Sequence, residues 1–115
     1  MIFVFGSNLA GRHGAGAALY AARKYGAKYG VGVGRTGDAY ALPTKDENLK
    51  TLPLNEIEHH IRDFIDHARQ NYDTLFQLTP IGCGLAGYKK SEIWAILKRV
   101  GLPSNVYLSS SWVND

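Results

Sequence analysis

Two glycine-rich stretches have the composition and position of ligand-binding loops. The first contains Gly11-x-x-Gly14-x-Gly16 and lies between an apolar run and an alanine-rich run. The second, Gly82-Cys83-Gly84-Leu85-Ala86-Gly87, also follows an apolar run. Glycine allows close approach of the backbone to a ligand, and the unpaired N–H groups at the start of a helix attract anions. Together the two stretches predict loops that hold the two ends of a diphosphate.

The first stretch by itself fits a tight strand-to-helix turn without a ligand equally well. It is not the G-x-G-x-x-G motif of dinucleotide-binding proteins, and no G-K-[ST] follows it as in a Walker loop. The second stretch shifts the balance, because a single structural turn rarely needs three glycines in six residues. Backbone N–H groups from two such loops can enclose an anion.

Lys45 follows Pro43-Thr44 at the end of a predicted strand, and from the residues alone it is expected to be an ordinary exposed lysine. It would take part in catalysis only if desolvation or a nearby cation such as Arg35 lowered its pKa, because a neutral amine can attack a carbonyl-like carbon. The adjacent Asp46 opposes that shift.

Cys83 is predicted to be a small buried thiol beside a ligand. The G-x-[SC]-x-G spacing of a nucleophile elbow fails around it, because Ile81 and Leu85 stand where glycines are needed. His13 is the only histidine near a glycine-rich stretch, and no pattern shows that it meets Cys83. A single cysteine also excludes an internal disulfide and a cysteine-built zinc site.

The aromatic residues and the remaining histidines divide into core and surface groups. Tyr88 is predicted to be available for stacking on a base, whereas Tyr20, Tyr25 and Tyr40 are predicted to fill the core. His60 and His67 lie off the apolar stripe of a long helix and are predicted to face solvent. His59 lies on the same helix, and none of these histidines is predicted to bind metal.

The elements that must position these residues alternate between strand and helix. Strands are predicted at residues 2–6, 38–43, 75–79 and 105–109, and helices at residues 15–25 and 53–71 and from a Ser91 cap to Gly101. Pro43 is predicted to close its strand. This order predicts an α/β fold with a largely parallel sheet between helices, in one domain spanning residues 1–115. Both glycine-rich stretches then reach the carboxyl edge of the sheet, where such folds bind ligands.

A further segment, Gly30-Val31-Gly32-Val33-Gly34, has glycine at every second position, so one face of it is bare backbone. Either a ligand or another backbone is expected against that face. The formal net charge is +3 with scattered basic residues, which suits an anionic ligand. No run of residues has the length and apolarity of a signal peptide or a membrane span, and the expected location is the cytoplasm.

The combined order of three motifs resembles the macro domain. These motifs are Asn8-x-x-Gly11-x-x-Gly14-x-Gly16-x-Ala18, Leu42-Pro43-Thr44-Lys45 and Ile81-Gly82-Cys83-Gly84-Leu85-Ala86-Gly87-Tyr88. The chain is most similar to the branch that holds terminal ADP-ribose glycohydrolase and the macrodomain antitoxins that remove ADP-ribose from DNA. It is also similar to short macro-like proteins of phage genomes. The resemblance implies a three-layer α/β/α sandwich with a mostly parallel mixed sheet, truncated relative to the family, that binds ADP-ribose.

The resemblance also implies roles for individual residues. Lys45 matches the lysine implicated in removing ADP-ribose from its acceptor, and Asn8 and His13 are expected to be positioning groups. The expected ligand-binding residues are Gly6, Ser7, Asn8, Gly11, Gly14, Ala15, Gly16, Thr44, Gly82, Cys83, Gly84, Leu85, Ala86, Gly87 and Tyr88. No metal and no cofactor are expected. The family's Gly-Asp that holds adenine has no counterpart, and Ala86 stands where terminal ADP-ribose glycohydrolase has a catalytic aspartate.

Three functions of different class follow from these observations. The first is an ADP-ribosyl glycohydrolase that acts on ADP-ribosylated DNA or protein. The second is a non-catalytic module or sponge for ADP-ribose-type nucleotides, and the third is a basic domain that binds nucleic acid through backbone phosphate. The expected partner is therefore ADP-ribose or an ADP-ribosylated macromolecule, with nucleic acid as a possible modified substrate.

Overall fold

A five-stranded sheet forms the centre of residues 1–113, which are the residues that the computed structural model describes. The elements in chain order are β1 (Ile2–Asn8), α1 (Gly16–Lys24), β2 (Gly34–Thr36), β3 (Ala39–Lys45), α2 (Leu54–Gln70), β4 (Phe76–Leu78), α3 (Lys90–Val100), β5 (Val106–Leu108) and a short 3-10 turn at Ser110–Trp112. The strand order is β2-β3-β1-β4-β5. Only β2 is antiparallel to its neighbour, so the predicted mostly parallel α/β sheet is confirmed.

The central position of β1 follows from its sequence. Its Ile2-Phe3-Val4-Phe5 run is buried on both faces, as the absence of any polar residue predicts. Parallel ladders join β1 to β3 on one side and to β4 on the other. Three strand ends that carry predicted site residues therefore lie side by side.

The larger core lies between the sheet and the two helices α2 and α3. The predicted apolar stripe of α2 is confirmed, and its buried members are Ile57, Ile61, Phe64, Ile65 and Ala68. Each large side chain buried in this way contributes about 1.5–3 kcal/mol relative to exposure. At the surface Glu58 of α2 accepts hydrogen bonds from Arg99 of α3 and Arg62 of its own helix, which lower the pKa of the Glu58 carboxyl.

The opposite face of the sheet carries a smaller core under α1. Ala18 and Ala21 of the helix pack against Phe3 and Phe5, and further alanines complete the cluster. Helices therefore lie on both faces, as in an α/β/α sandwich. None of the buried members of this smaller core comes from β4 or β5, so α1 covers only the β1–β3 part of the sheet.

Two details of the predicted elements are wrong. The strand β3 does not close at Pro43 but runs to Lys45. The last pair between β2 and β3 is Gly34 with Ala41, so the missing N–H of Pro43 leaves no ladder bond unmade on that side. Ser91 is not the cap of α3, because the helix begins at Lys90 and its N-cap is Lys89, whose N–H donates to the Glu92 carboxylate at 3.0 Å.

The connections around β1 and β4 create a crevice between these neighbouring strands. After β1 the chain passes to α1 on one face of the sheet, and after β4 it passes to α3 on the other face. Loops that diverge in this way from adjacent parallel strands leave a ligand-sized space at the carboxyl edge. Among residues 1–113 no helix is both long and apolar enough to cross a bilayer.

His67 faces the larger core, not solvent as predicted. Its ring lies 5.0 Å from that of Tyr40 and 5.6 Å from that of Phe76, measured between centroids. Burial, and secondarily Arg35, lowers the pKa of His67. Burial also raises the pKa of Tyr40 to about 12. The heptad spacing between His60 and His67 therefore does not place both on the solvent face.

The lowered pKa of His67 predicts a loss of stability in acid. The unfolded chain binds a proton at this imidazole more readily than the folded chain, so the contribution is present above about pH 6.5 and is lost as the pH falls through the folded-state pKa. We expect His67→Phe to flatten the decrease in unfolding free energy between about pH 7.5 and 5.5, measured by urea denaturation. His59→Gln, at an exposed position of the same helix, is the control and should keep the native slope. Equal slopes for all three proteins would contradict the prediction.

Candidate functional site

A cleft of about 990 Å³ lies at the carboxyl ends of the parallel strands. We call residues 9–15, between β1 and α1, the first loop and residues 79–89, between β4 and α3, the second loop. Both loops line the cleft. The predicted site residues that it brings together are Gly6, Ser7, Asn8, Gly14, Ala15, Gly16, Thr44, Lys45, Gly82, Gly84, Leu85 and Ala86. The predicted site residues that do not line it are Gly11, His13, Cys83, Gly87 and Tyr88.

The first loop and the start of α1 present a row of unpaired backbone donors. The N–H groups of residues 14–18 donate no hydrogen bond within residues 1–113, and the first paired amide is that of Leu19, which donates to Ala15 O at 3.2 Å. No side chain caps this end of the helix. Free N–H groups together with the positive end of the helix dipole form an anion-binding site.

The second loop presents a similar row from the other side. Its turn is closed by the Gly87 N–H, which donates to Gly84 O at 3.0 Å, and by the Tyr88 N–H, which donates to Gly82 O at 2.9 Å. The amides of residues 84–86 have no acceptor in the part of the chain that the structure describes. Three consecutive free amides on a short turn are suited to the oxygens of one phosphate group.

The second loop approaches the start of α1 across the cleft. A Cβ built on Gly16 would lie 3.9 Å from the Leu85 side chain, which is ordinary contact distance. Gly14 and Gly84 would have nothing within 4 Å of an added Cβ. These two glycines therefore border open space in the cleft, and no neighbouring atom requires them to be glycine.

The charges that line the cleft are all positive. Arg12 of the first loop and Lys45 at the end of β3 contribute cations, whereas no aspartate or glutamate within the described part of the chain is among the lining residues. Cations and backbone donors without a competing carboxylate favour an anionic ligand. The sequence analysis missed Arg12, although its position between two glycines of the motif was the available indication.

Lys45 is half-buried and has no carboxylate partner among residues 1–113. Its backbone is paired with Asn8 where the register between β1 and β3 shifts, which fixes it beside the first loop. The neighbouring Asp46 carboxylate accepts the N–H groups of Asn48 and Lys50 at 2.8 and 2.9 Å. The Asp46 carboxylate therefore stabilises its own turn and makes no ion pair with Lys45, which lines the cleft.

Asn8 lines the cleft but uses its side chain to shape the first loop. The amide Nδ2 donates to Arg12 O and Oδ1 accepts the Arg12 N–H, both at 2.9 Å. The Gly11 N–H also donates to Asn8 O at 3.0 Å. One Nδ2 hydrogen is left for a ligand, and the main work of this side chain is to close the loop.

His13 lies beneath the first loop and away from the cleft. Its ring is 2% exposed and packs edge-on against Phe5. Nε2 lies 3.1 Å from both Lys28 O and Val31 O, so this nitrogen carries a hydrogen and donates to the two carbonyls. His13 was expected to position groups at the reaction centre. Its hydrogen bonds instead connect the first loop to the segment at residues 28–32.

The sequence analysis left open whether a ligand or another backbone lies against the alternating glycines, and the contacts of this segment bear on that question. A Cβ on Gly32 would lie 2.2 Å from Asn8 O, and a Cβ on Gly11, whose φ is +70°, would lie 2.3 Å from the carbonyl carbon of Gly30. The Ser7 hydroxyl donates to Gly32 O at 2.6 Å. Of the three alternating glycines, Gly32 therefore has another backbone against it, whereas a Cβ on Gly30 or Gly34 would meet nothing within 4 Å.

Cys83 and Tyr88 point into the larger core. Burial raises the pKa of the Cys83 thiol, and the thiol donates weakly to Ile81 O at 3.5 Å. Cys83 is therefore a small, partly buried thiol, but its side chain does not line the cleft. The Tyr88 hydroxyl donates to Leu52 O at 2.7 Å, which holds its ring against the core and away from the cleft.

Tyr20 lines the cleft and is exposed, contrary to the prediction that it fills the core. Tyr25 lines the cleft and also packs against the smaller core, so its prediction is confirmed in part, and Tyr40 is buried as predicted. Sequence reasoning also missed Gln77, Thr79 and the serines at residues 109–111. The serine run begins at the last residue of the final predicted strand, and this position at the carboxyl edge of the sheet could have indicated that it lines the cleft. Nothing in the local pattern of Tyr20 or Tyr25 distinguishes a cleft wall from a core.

Residues 1–113 contain no group of three or more histidine, cysteine, aspartate or glutamate side chains that could hold a metal ion.

No model of a known protein family matches the chain, and no curated protein sequence matches it significantly.

Two glycines of the first loop provide a test of these separate roles. We expect Gly11→Ala to destabilise the fold by about 2 kcal/mol or more, because a left-handed residue costs about 1–2 kcal/mol and overpacking adds about 1–3 kcal/mol. Gly14→Ala, in open space and without a positive φ, should change stability by less than about 0.5 kcal/mol. Thermal denaturation measures both. Equal effects of the two substitutions would contradict the assignment of Gly11 to backbone packing.

Proposed function

We propose that this chain is a macro-like domain that binds ADP-ribose or a related NAD-derived nucleotide and hydrolyses an ADP-ribosyl bond. The observation that carries the proposal is the pair of free-amide rows at residues 14–18 and 84–86, which face one cleft from the ends of the adjacent strands β1 and β4. Each row accommodates one phosphate, so the two together suit a diphosphate.

The size and charge of the cleft support a ligand of this kind. A volume of about 990 Å³ is at the upper end of the usual range for small-molecule sites, about 300–1,000 Å³, and provides space for two ribose groups and a base. Arg12 and Lys45 offset the charge of the diphosphate. The order of the three sequence motifs that resemble the macro domain is consistent with both loops contributing to one site.

Lys45 is the proposed acting amine. In its neutral form Nζ attacks the anomeric carbon of the distal ribose, the bond from that carbon to the acceptor breaks, and the acceptor leaves with the proton lost by the amine. Water then adds to the same carbon and the bond between that carbon and Nζ breaks. ADP-ribose is released and the free amine of Lys45 is regenerated. The net reaction consumes one water and needs no oxidant or cofactor.

A non-catalytic ADP-ribose-binding module is the second candidate. The observation that favours it is that no aspartate or glutamate of residues 1–113 lines the cleft. Hydrolases of glycosidic bonds ordinarily use a carboxyl group as an acid, base or nucleophile. Under this alternative, Lys45 provides charge and no covalent step.

Calorimetry with the purified chain tests binding at the two loops. We expect micromolar affinity for ADP-ribose and weaker binding of AMP and of ribose 5-phosphate, because each of these engages part of the cleft. Gly84→Val should abolish binding, because its side chain would project into open space between the loops, and Gly84→Ala should have a smaller effect. Native melting temperatures for both variants show that the fold is intact.

The outcome that contradicts the binding proposal is also defined. If folded Gly84→Val binds ADP-ribose normally, the ligand does not lie between the loops. If instead the chain prefers DNA or RNA with an affinity that falls steeply with salt, the third function, nucleic-acid binding, replaces the proposal.

Substitution of Lys45 separates catalysis from binding. Lys45→Arg keeps the positive charge but cannot supply a neutral amine, and Lys45→Ala removes both. On ADP-ribosylated DNA and ADP-ribosylated protein, we expect both variants to lower turnover by roughly 100-fold or more. Lys45→Arg should keep an affinity for ADP-ribose within about tenfold of native. Lys50→Ala, an exposed lysine outside the cleft, is the control. Native turnover by Lys45→Arg would exclude the covalent step.

A further inference from the structure

The sheet face that α1 covers is open over β4 and β5. Phe3, Gln77 and Tyr107 are directly paired across β1, β4 and β5, so their side chains project from the same face in one row. The smaller core under α1 has no buried member from β4 or β5. A partly exposed Tyr107 and a half-buried Gln77 stand where a covered sheet would have apolar side chains.

Aromatic rings border this open face. Phe3 and Tyr25 are stacked with ring centroids 4.6 Å apart and planes 6° apart, and Tyr20 lies 5.5 Å from Phe3 and 5.9 Å from Tyr25. Burial, and then the phenols of Tyr20 and Tyr107, raises the pKa of Tyr25, which agrees with a close group of tyrosines. We call the rings of Phe3, Tyr20 and Tyr25, together with the adjacent amide of Gln77, the aromatic shelf.

The shelf belongs to the same cleft as the two loops, since all of its members line that cleft. The amide of Gln77 makes no hydrogen bond within residues 1–113, although it offers two donor hydrogens and an acceptor oxygen. Ser109, on the same side of the cleft, is 8% exposed, and its hydroxyl has no partner either. Polar groups left unsatisfied in a cleft are costly unless a ligand or water completes them.

We propose that the aromatic shelf holds the nucleobase of the bound nucleotide, with the base packed against Tyr20 and Tyr25 and its hydrogen-bonding edge paired with the Gln77 amide. A glutamine amide matches adenine in particular, because it can donate to N7 while accepting from the exocyclic N6 amine. Base stacking on tyrosine supplies sequence-independent affinity. This inference rests on the proposed function, since it assigns the base of the same ligand.

The order of the strands gives the ligand a direction. Lys45 ends β3, the two loops follow β1 and β4, and the shelf lies on the face of β1 and β4, where Phe3 is paired with Gln77. All three places line the same cleft. The distal ribose at Lys45, the diphosphate between the loops and the base on the shelf therefore follow one path, from the carboxyl edge of the sheet onto its open face.

Comparison of ADP-ribose with its hypoxanthine analogue, inosine diphosphate ribose, tests the shelf. The analogue replaces the N6 amine with an oxygen, which cannot donate to Gln77. We expect the native chain to prefer ADP-ribose by about tenfold in calorimetry. Gln77→Leu should lose this preference and weaken ADP-ribose binding by a similar factor, and Tyr20→Ala should weaken both ligands equally. Tyr72→Ala, which removes a tyrosine that is 82% exposed and outside the cleft, is the matched control.

The possible failures are distinguishable. If Gln77→Leu and Tyr20→Ala, with native melting temperatures, bind both ligands as the native chain does, the shelf does not hold the base and the proposed function stands. If the native chain does not bind ADP-ribose, both proposals fall. If sedimentation shows a dimer that Tyr107→Glu dissociates, a second copy of the chain covers the open face and the shelf is overturned.

Discussion

The site depends on one close contact between two stretches of backbone. The segment at residues 28–32 lies so near the first loop that a Cβ on Gly11 or Gly32 would overlap main-chain atoms. Hydrogen bonds from Ser7 and His13 to carbonyls of this segment hold the contact in place. The first loop is therefore folded against the protein, and its amides at residues 14–18 are left facing the cleft. Any displacement of the segment would move the start of α1 as well.

Polar side chains and main-chain groups have different roles in this site. The side chains of Asn8 and His13 make hydrogen bonds within the protein, whereas the groups that line the cleft are main-chain N–H groups and the cations Arg12 and Lys45. Main-chain donors are fixed by the fold and pay little conformational entropy when they bind. A ligand held mainly by such donors is recognised by its charge and shape, and a group such as the Gln77 amide must supply the discrimination between bases.

Local patterns in the sequence were sufficient for the layers of the fold. The apolar run of β1 and the stripe of α2 both express periodicities that a single element imposes, and the two loops were located by their glycines. Contacts between distant segments were not accessible in this way. Tyr20 lines the cleft and Tyr88 packs against the larger core because different segments of the chain lie next to them. His67 is partly buried because its ring packs against those of Tyr40 and Phe76. His13 contacts residues 28–31 only after the chain has turned back.

The small side chains beneath α1 have a consequence for how the molecule opens. That layer is built largely from alanines around Phe3 and Phe5, and α1 has nine residues, whereas α2 has seventeen and packs large aliphatic and aromatic side chains. Because less apolar area holds the short helix, we expect α1 to open locally at a lower free energy than the α2–α3 side. The amides of residues 14–18 belong to this weaker unit and those of residues 84–86 to the stronger one. An anion bound between them would join the two units, and the part of the protein that opens most easily would be the part whose order depends most on the ligand.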